Sequence, residues 1–262
     1  MKVAILYICT GKYNQFFSGF YESCEKYFLK DIASVDYFVF TDKISLSTAS
    51  NVHLIERQCQ GFPLDSLFRF DMFLQVEKEL VKFDYLFFFN SNMLFVAPVG
   101  REILPEKEEL CAVLHPGYYR KPNFLYPYER NKKSTAYIDP PKLFQHKKYS
   151  YYMGSLNGGK TEAYLEFIRT CSENTHKDYN QGLVAMVHDE SHLNKYLSER
   201  KCLALSPAFA FPEGWHLPFS PKLLIRNKVR IDPYFDKGRD HSLKGKIKKG
   251  IGIFKRAISW YL

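Results

Sequence analysis

YLFFFNSNMLFV, residues 85–96, sets five apolar residues against a second apolar run with Asn90-Ser91-Asn92 between them. The first run reads as a buried strand, and the polar tripeptide as either a tight turn or a ligand site at a strand's carboxyl end, after which the chain turns back. Asparagine suits a turn because it tolerates left-handed backbone and bonds its own main chain. In open α/β sheets, however, ligands sit outside the carboxyl ends of strands. The flanking sequence has to choose between the two.

Working outward, residues 3–8 form a continuous apolar run suited to a buried strand, and residues 16–28 carry aromatics at helical spacing. Thr10-Gly11-Lys12-Tyr13 is then a strand-to-helix junction, where main-chain N–H groups can meet a phosphate or nucleotide. Residues 36–40 and 52–55 read as further strands. The spacing of Leu67, Phe70, Phe73, Leu74 and Leu80 predicts one helix over residues 66–83, with Asp65 or Ser66 as its N-cap. Strand and helix alternate through the first hundred residues, which predicts a parallel α/β sheet.

Composition bounds the rest. In 262 residues, 46% are hydrophobic and 17% aromatic, enough for a sizeable core. Six cysteines make no CxxC pair, so a reduced, intracellular protein fits better than a disulfide framework or zinc site. The opening MKVAILYICTGKY is too short an apolar run for a signal peptide or membrane span. From Ser220 onward, twelve Lys and Arg face three Asp, which alone gives the net +9; the preceding 219 residues carry 25 of each sign. A neutral body argues against nucleic acid as a partner. In the tail, Leu243, Ile247, Ile251, Phe254, Ile258 and Leu262 share one helical face among basic residues. This predicts a basic amphipathic helix over residues 236–262 in peripheral contact with an anionic membrane. Gly245, Gly250 and Gly252 weaken that helix by about 1 kcal/mol each relative to Ala.

Residues 115–148 are rich in Pro, Tyr and Lys without a clear period, as functional loops are. Beyond them come YYMGSLNGG, residues 151–159, and a helix from Thr161 to about residue 171. The polar cluster HDESHLNKY occupies residues 188–196.

Asn90-Ser91-Asn92, HPGYY, YPYER, STAYI, YYMG with its nearby GG, and HDESHLNKY occur in this order over residues 3–229. In this the chain resembles the family 6 glycosyltransferases, which include the ABO blood-group and α1,3-galactosyl enzymes and short bacterial relatives. The resemblance implies a GT-A fold: a single Rossmann-like nucleotide-sugar-binding sheet in residues 1–115 and an acceptor-binding, catalytic half in residues 116–235. It further implies transfer of galactose or N-acetylgalactosamine from a UDP-sugar to the 3-hydroxyl of galactose, with retention.

The family's animal members hold Mn²⁺ on Asp-x-Asp, where this chain has Asn90 and Asn92, like similar bacterial members that work without metal. A bridging divalent cation needs anionic oxygens, and two neutral amides supply none. The expectation is therefore no metal or other cofactor. By the same resemblance Glu190 is the catalytic carboxylate, as nucleophile or as electrostatic support. Ile8, Thr10 and Tyr13 correspond to the uridine pocket, Arg69 to a donor-binding arginine, and Asp189 to a ligand of donor-sugar hydroxyls. Lys222 and Arg226 look like the cations that close over the pyrophosphate, although four apart they are closer than in the animal enzymes. His115 and His188 shape the acceptor and donor sites. Gly117 and Ser155 line the sugar's C2 substituent, and a small pair leaves room for an acetamido group.

The expected activity is thus a metal-independent, retaining α1,3-N-acetylgalactosaminyltransferase using UDP-GalNAc on a fucosylated galactose, with UDP-Gal as the alternative donor. A non-catalytic sugar-nucleotide or glycan-binding protein is the alternative of another class. The expected location is cytoplasmic, at the inner face of a membrane.

Overall fold

The computed structural model describes residues 1–140, 149–236, 242, 250–252 and 255. The basic helix expected over residues 236–262 falls almost wholly outside these, as does the end of the long loop.

The strands are β1 (Lys2–Ile8), β2 (Ser34–Thr41), β3 (Val52–Glu56), β4 (Tyr85–Phe89), β5 (Met93–Phe95), β6 (Leu110–Leu114), β7 (Tyr152–Lys160), β8 (Cys202–Leu205), β9 (Phe211–Pro212) and β10 (Leu223–Ile225). Seven of them form one mixed sheet in the order β3-β2-β1-β4-β7-β6-β8. β1 pairs in parallel with both β2 and β4, while β7 runs antiparallel between β4 and β6. The apolar runs of β1 and β4 are continuous because both faces are covered. Val3, Ile5, Tyr7, Phe87 and Phe89 point into one core with Phe17 and Phe20. Ala4, Leu6, Leu86 and Phe88 point into the other with Phe70, Phe73, Tyr164 and Phe167. Full burial of each such ring contributes about 1.5–3 kcal/mol.

This order decides the reading of the opening stretch. The chain leaves β1 through α1 (Phe17–Tyr27) toward β2 and β3, then returns to place β4 on the other flank of β1. The gap between the carboxyl ends of β1 and β4 is a topological switch point, and Thr10–Tyr13 and Asn90–Asn92 emerge there together. The sequence reading has the chain turn back after Asn92, but the second apolar run does not pair with β4. Met93–Phe95 instead pairs antiparallel with β10 in a separate three-stranded sheet, β5-β10-β9.

The helix expected over residues 66–83 is three short ones: α2 (Leu64–Leu67), α3 (Arg69–Leu74) and α4 (Glu77–Leu80). Phe68 and Val76 leave helical geometry between them, with ψ of 25° and 19°. Pro63 is the N-cap, and the Asp65 carboxylate instead accepts from the N–H groups of Gln60 and Gly61 at 3.2 and 2.9 Å. The helix expected to end near residue 171 continues as α5 (Thr161–Asn180), and α6 (Asp189–Ser198) begins a new direction. The glycine-rich β7 is a central strand. A Cβ on Gly158 would lie 2.6 Å from the Leu86 carbonyl, and one on Gly159 2.4 Å from that of Glu109, so close strand approach requires both glycines.

Candidate active site

Because β7 runs against β4, its first residues lie at the carboxyl end of β4: the Asn90 N–H donates to the Ser155 carbonyl at 2.8 Å. α6 is pinned over the same point. The Asn194 side chain accepts from the Tyr152 N–H at 2.9 Å and donates to the Tyr152 carbonyl at 2.8 Å, standing in for a neighbouring strand. The turn into this helix passes through His188 at φ 52°, a region costly for a residue with a Cβ. Asp189 and Glu190 thereby enter the helix's first turn against β7.

Around Gly154 four charged or polar groups converge. Arg69 donates to the Gly154 carbonyl at 2.8 Å, pairs with Asp189 at 3.1 Å, and lies 4.5 Å over the Phe88 ring. Glu190 accepts from the Gly154 N–H at 2.6 Å and from the Tyr151 hydroxyl at 2.5 Å. Arg69 and Asp189 are buried, at 9% and 6% exposure, while Glu190 is half-buried. Burial pushes the Glu190 carboxyl up to about 7, against the pull of the Gly154 and Tyr151 hydrogen bonds; nearby Asp189 adds to the rise. Burial likewise raises Asp189 to about 6, with Arg69 pulling it back. Two adjacent carboxyls thus have different partners. Asp189 answers a buried guanidinium, and Glu190, half-buried, is held by a phenol and a main-chain N–H.

His115 follows β6 and lies 5.8 Å from Tyr151, ring to ring. Its Nδ1 accepts from the Gly117 N–H at 3.0 Å, and burial holds it neutral, its pKa pushed down to about 4. The proton therefore sits on Nε2, which leaves a donor. Gly117 is tight against the His115 ring, and the exposed Trp215 ring reaches within 4.0 Å of where a Cβ on Gly117 would stand. His188 lies edge-on to Phe62 at 4.9 Å, and its pKa is lowered, first by burial and then by Arg69. The Ser155 hydroxyl is buried without a partner.

On the nucleotide side, Ile8 ends β1 and the Thr10 hydroxyl, buried, donates to Asp65 at 3.4 Å. Tyr13 packs on Phe235 at 4.8 Å and its hydroxyl accepts from Lys228 at 3.0 Å. Arg226 lies 5.2 Å over the Phe16 ring and forms no ion pair among the described residues. Lys222 is elsewhere: it pairs with Glu102 and lies 5.3 Å over the Phe209 ring. The lysine beside Tyr13 is Lys228, six residues after the Lys222 that the resemblance assigned to the pyrophosphate. Lys228, Tyr151 and Trp215 lie against candidate residues and were not among those named from the sequence. YYMG and the basic run after residue 220 were signals for the first two, and nothing marked Trp215.

Asn90 and Asn92 do not fit a divalent cation. They carry no anionic oxygen, and the Asn92 Oδ1 already accepts from Asn90 Nδ2 at 3.2 Å.

A parallel half whose switch point opens between β1 and β4, joined to the antiparallel strand β7 against which α6 holds a half-buried glutamate, is the arrangement of a GT-A-type fold. Residues 1–231 match the model of glycosyltransferase family 6, and the chain belongs to that family. It is 39% identical over 236 residues to the O-antigen biosynthesis glycosyltransferase WbnI of Escherichia coli, covering 89% of this chain and 98% of that protein. It is 30% identical over 237 residues to human globoside alpha-1,3-N-acetylgalactosaminyltransferase 1, covering 86% of this chain and 65% of that protein. Against the rat histo-blood group ABO system transferase 1 the identity is 32% over 226 residues, 81% of this chain and 62% of that protein. The chain is thus a glycosyltransferase, with a nucleotide sugar and a glycan acceptor as its substrates. Among the described residues no helix is long and apolar enough to cross a membrane.

Proposed function

We propose that the chain is a retaining α1,3-N-acetylgalactosaminyltransferase that moves GalNAc from UDP-GalNAc to the 3-hydroxyl of a fucosylated galactose without a divalent metal. Residues 1–115, with the basic segment after residue 220, hold the nucleotide; residues 116–235 hold the acceptor and the reacting centre. The observation that carries this reading is the placement of Glu190. Its carboxylate is oriented by the Tyr151 hydroxyl and the Gly154 N–H beside the switch point, and the residue is half-buried.

As the bond from the anomeric carbon to UDP breaks, positive charge grows on the sugar and negative charge on the diphosphate. Glu190 answers the first, as nucleophile or as fixed negative charge. Arg226 and Lys228 answer the second; charge-assisted hydrogen bonds contribute about 1.5–3 kcal/mol each. The Tyr13 ring supports the uracil. Asp189, held by Arg69, meets donor-sugar hydroxyls, and the His115 Nε2–H donates toward the acceptor.

By the resemblance Gly117 and Ser155 line the sugar's C2, and a small pair there favours the acetamido donor, as does the likeness to a protein named for N-acetylgalactosaminyl transfer. The partnerless Ser155 hydroxyl would serve a 2-hydroxyl equally well, and this favours UDP-Gal as the second reading. Rates with both donors at equal concentration, with the product linkage read by NMR, test the reading. The expected result is an α1,3 linkage and faster transfer from UDP-GalNAc. A strong preference for UDP-Gal overturns the donor assignment.

A further inference from the structure

The two asparagines at the end of β4 have different surroundings. Asn90 is half-buried, whereas Asn92 is 3% exposed and both ends of its amide are used inside the protein. Its Oδ1 accepts from Asn90 Nδ2 at 3.2 Å, and its Nδ2 donates to the main-chain carbonyl of Arg226 at 2.8 Å. The main chain completes the clasp, with the Arg226 N–H donating to the Asn92 carbonyl at 2.9 Å. The adjoining pair is Met93 with Ile225, the last rung of the β5–β10 ladder. Asn92 therefore extends that ladder by one residue and fastens it with a side chain.

The residue so fastened carries a cation. The Arg226 guanidinium rests over the Phe16 ring, and a Cβ on Gly19 would lie 3.4 Å from its Nη1. With no carboxylate partner among the described residues, its aim depends on that ring and on the backbone from which it projects. Two residues further, Lys228 reaches the Tyr13 hydroxyl.

We infer that Asn92 is a positioning residue for Arg226: its amide holds the main chain that carries the cation, and it does not itself bind the donor. The inference rests on the reading of Arg226 as a pyrophosphate ligand. It also gives a reason for an amide at this position. An aspartate would set a carboxylate oxygen against the Arg226 carbonyl, two acceptors with no proton between them in a buried place. The Asp-x-Asp arrangement that holds a metal is therefore incompatible with this seating of the basic segment. One side chain links the absence of a metal ligand to the position of its replacement.

The test is a double-mutant cycle on the full chain, with UDP affinity measured by titration calorimetry in EDTA. Asn92→Ala should weaken UDP binding roughly ten-fold in the wild type. In an Arg226→Ala background it should change binding by less than about two-fold. Asn92→Ala should also flatten the salt dependence of UDP binding as Arg226→Ala does, which mere loosening of the fold would not do. Equal losses in both backgrounds, or no loss in either, overturn the inference and leave Arg226 as a ligand. An Arg226→Ala protein that binds UDP like the wild type instead removes the reading beneath it. Should Asn92→Ala fail to fold, Asn92→Ser carries the same cycle.

Discussion

Asp189 and Glu190, on one side of the site, are fixed by hydrogen bonds to buried partners, whereas Arg226 and Lys228, on the other, rest on ring faces and a single phenol. The acids are costly to hold in place. Both carboxyls titrate well above their ordinary values, and a guanidinium at 9% exposure has to accompany one of them. The cations, by contrast, are half-buried and have no partner acid among the described residues. Negative charge is thus built into the core, and positive charge sits on a segment from the far end of the chain. Such a division suits a reaction in which the nucleotide is itself the leaving group, since the side that must release it is the less tightly packed one.

The largest effect is expected at Arg69. Arg69→Met leaves Asp189 buried without its counter-ion, and removing one partner of a buried pair costs about 3–5 kcal/mol. Urea denaturation should show a loss of that size at pH 8, shrinking at lower pH as Asp189 takes up a proton.

Next comes Glu190→Gln, which should lower kcat by about 10²–10³-fold while leaving the fold intact. Equal activity in both proteins would remove Glu190 from the chemistry. The pH dependence has a definite sign. The folded carboxyl titrates near 7 rather than 4.5, so between those values the native state keeps a proton that the unfolded chain has lost. Its contribution to stability falls as pH rises through that window and levels off above it. Glu190→Gln should therefore gain stability relative to wild type between pH 5 and pH 8. Wild-type kcat/KM should rise over the upper part of the same range, because only the anion supports a cationic sugar.

The smallest effects lie on the cation side. Lys228→Ala should weaken UDP binding about ten-fold, the value of one charge-assisted contact. Lys222→Ala should change it by less than about two-fold, since it breaks only a surface ion pair with Glu102. Reversal of these two in a UDP titration would restore Lys222 to the site.

Most of the fold was legible where residues repeat at strand or helix spacing: β1, β2 and β4 lie where their apolar runs place them. β7 was not, because two of its last three residues are glycines, chosen for close approach of neighbouring backbones rather than for strand propensity. The break of residues 64–80 into three helices was hidden for a related reason. The stripe from Leu67 to Leu80 fits one helix, and only packing on the sheet shows Phe68 and Val76 outside helical geometry. In the site, Glu190, Asp189 and the Asn-x-Asn stretch stand in contiguous, unusual motifs. Lys228 does not, since its partner Tyr13 is 215 residues away and one lysine in a basic run looks like another. Arg69 reads as a surface charge until Asp189 is placed beside it.

We propose that fixed cations, rather than a divalent metal, stabilise the departing UDP. The initial rate of transfer from UDP-GalNAc to a fucosylated galactose acceptor should then be the same in EDTA as in Mn²⁺. Activity lost in EDTA and restored by Mn²⁺ would assign that role to a metal.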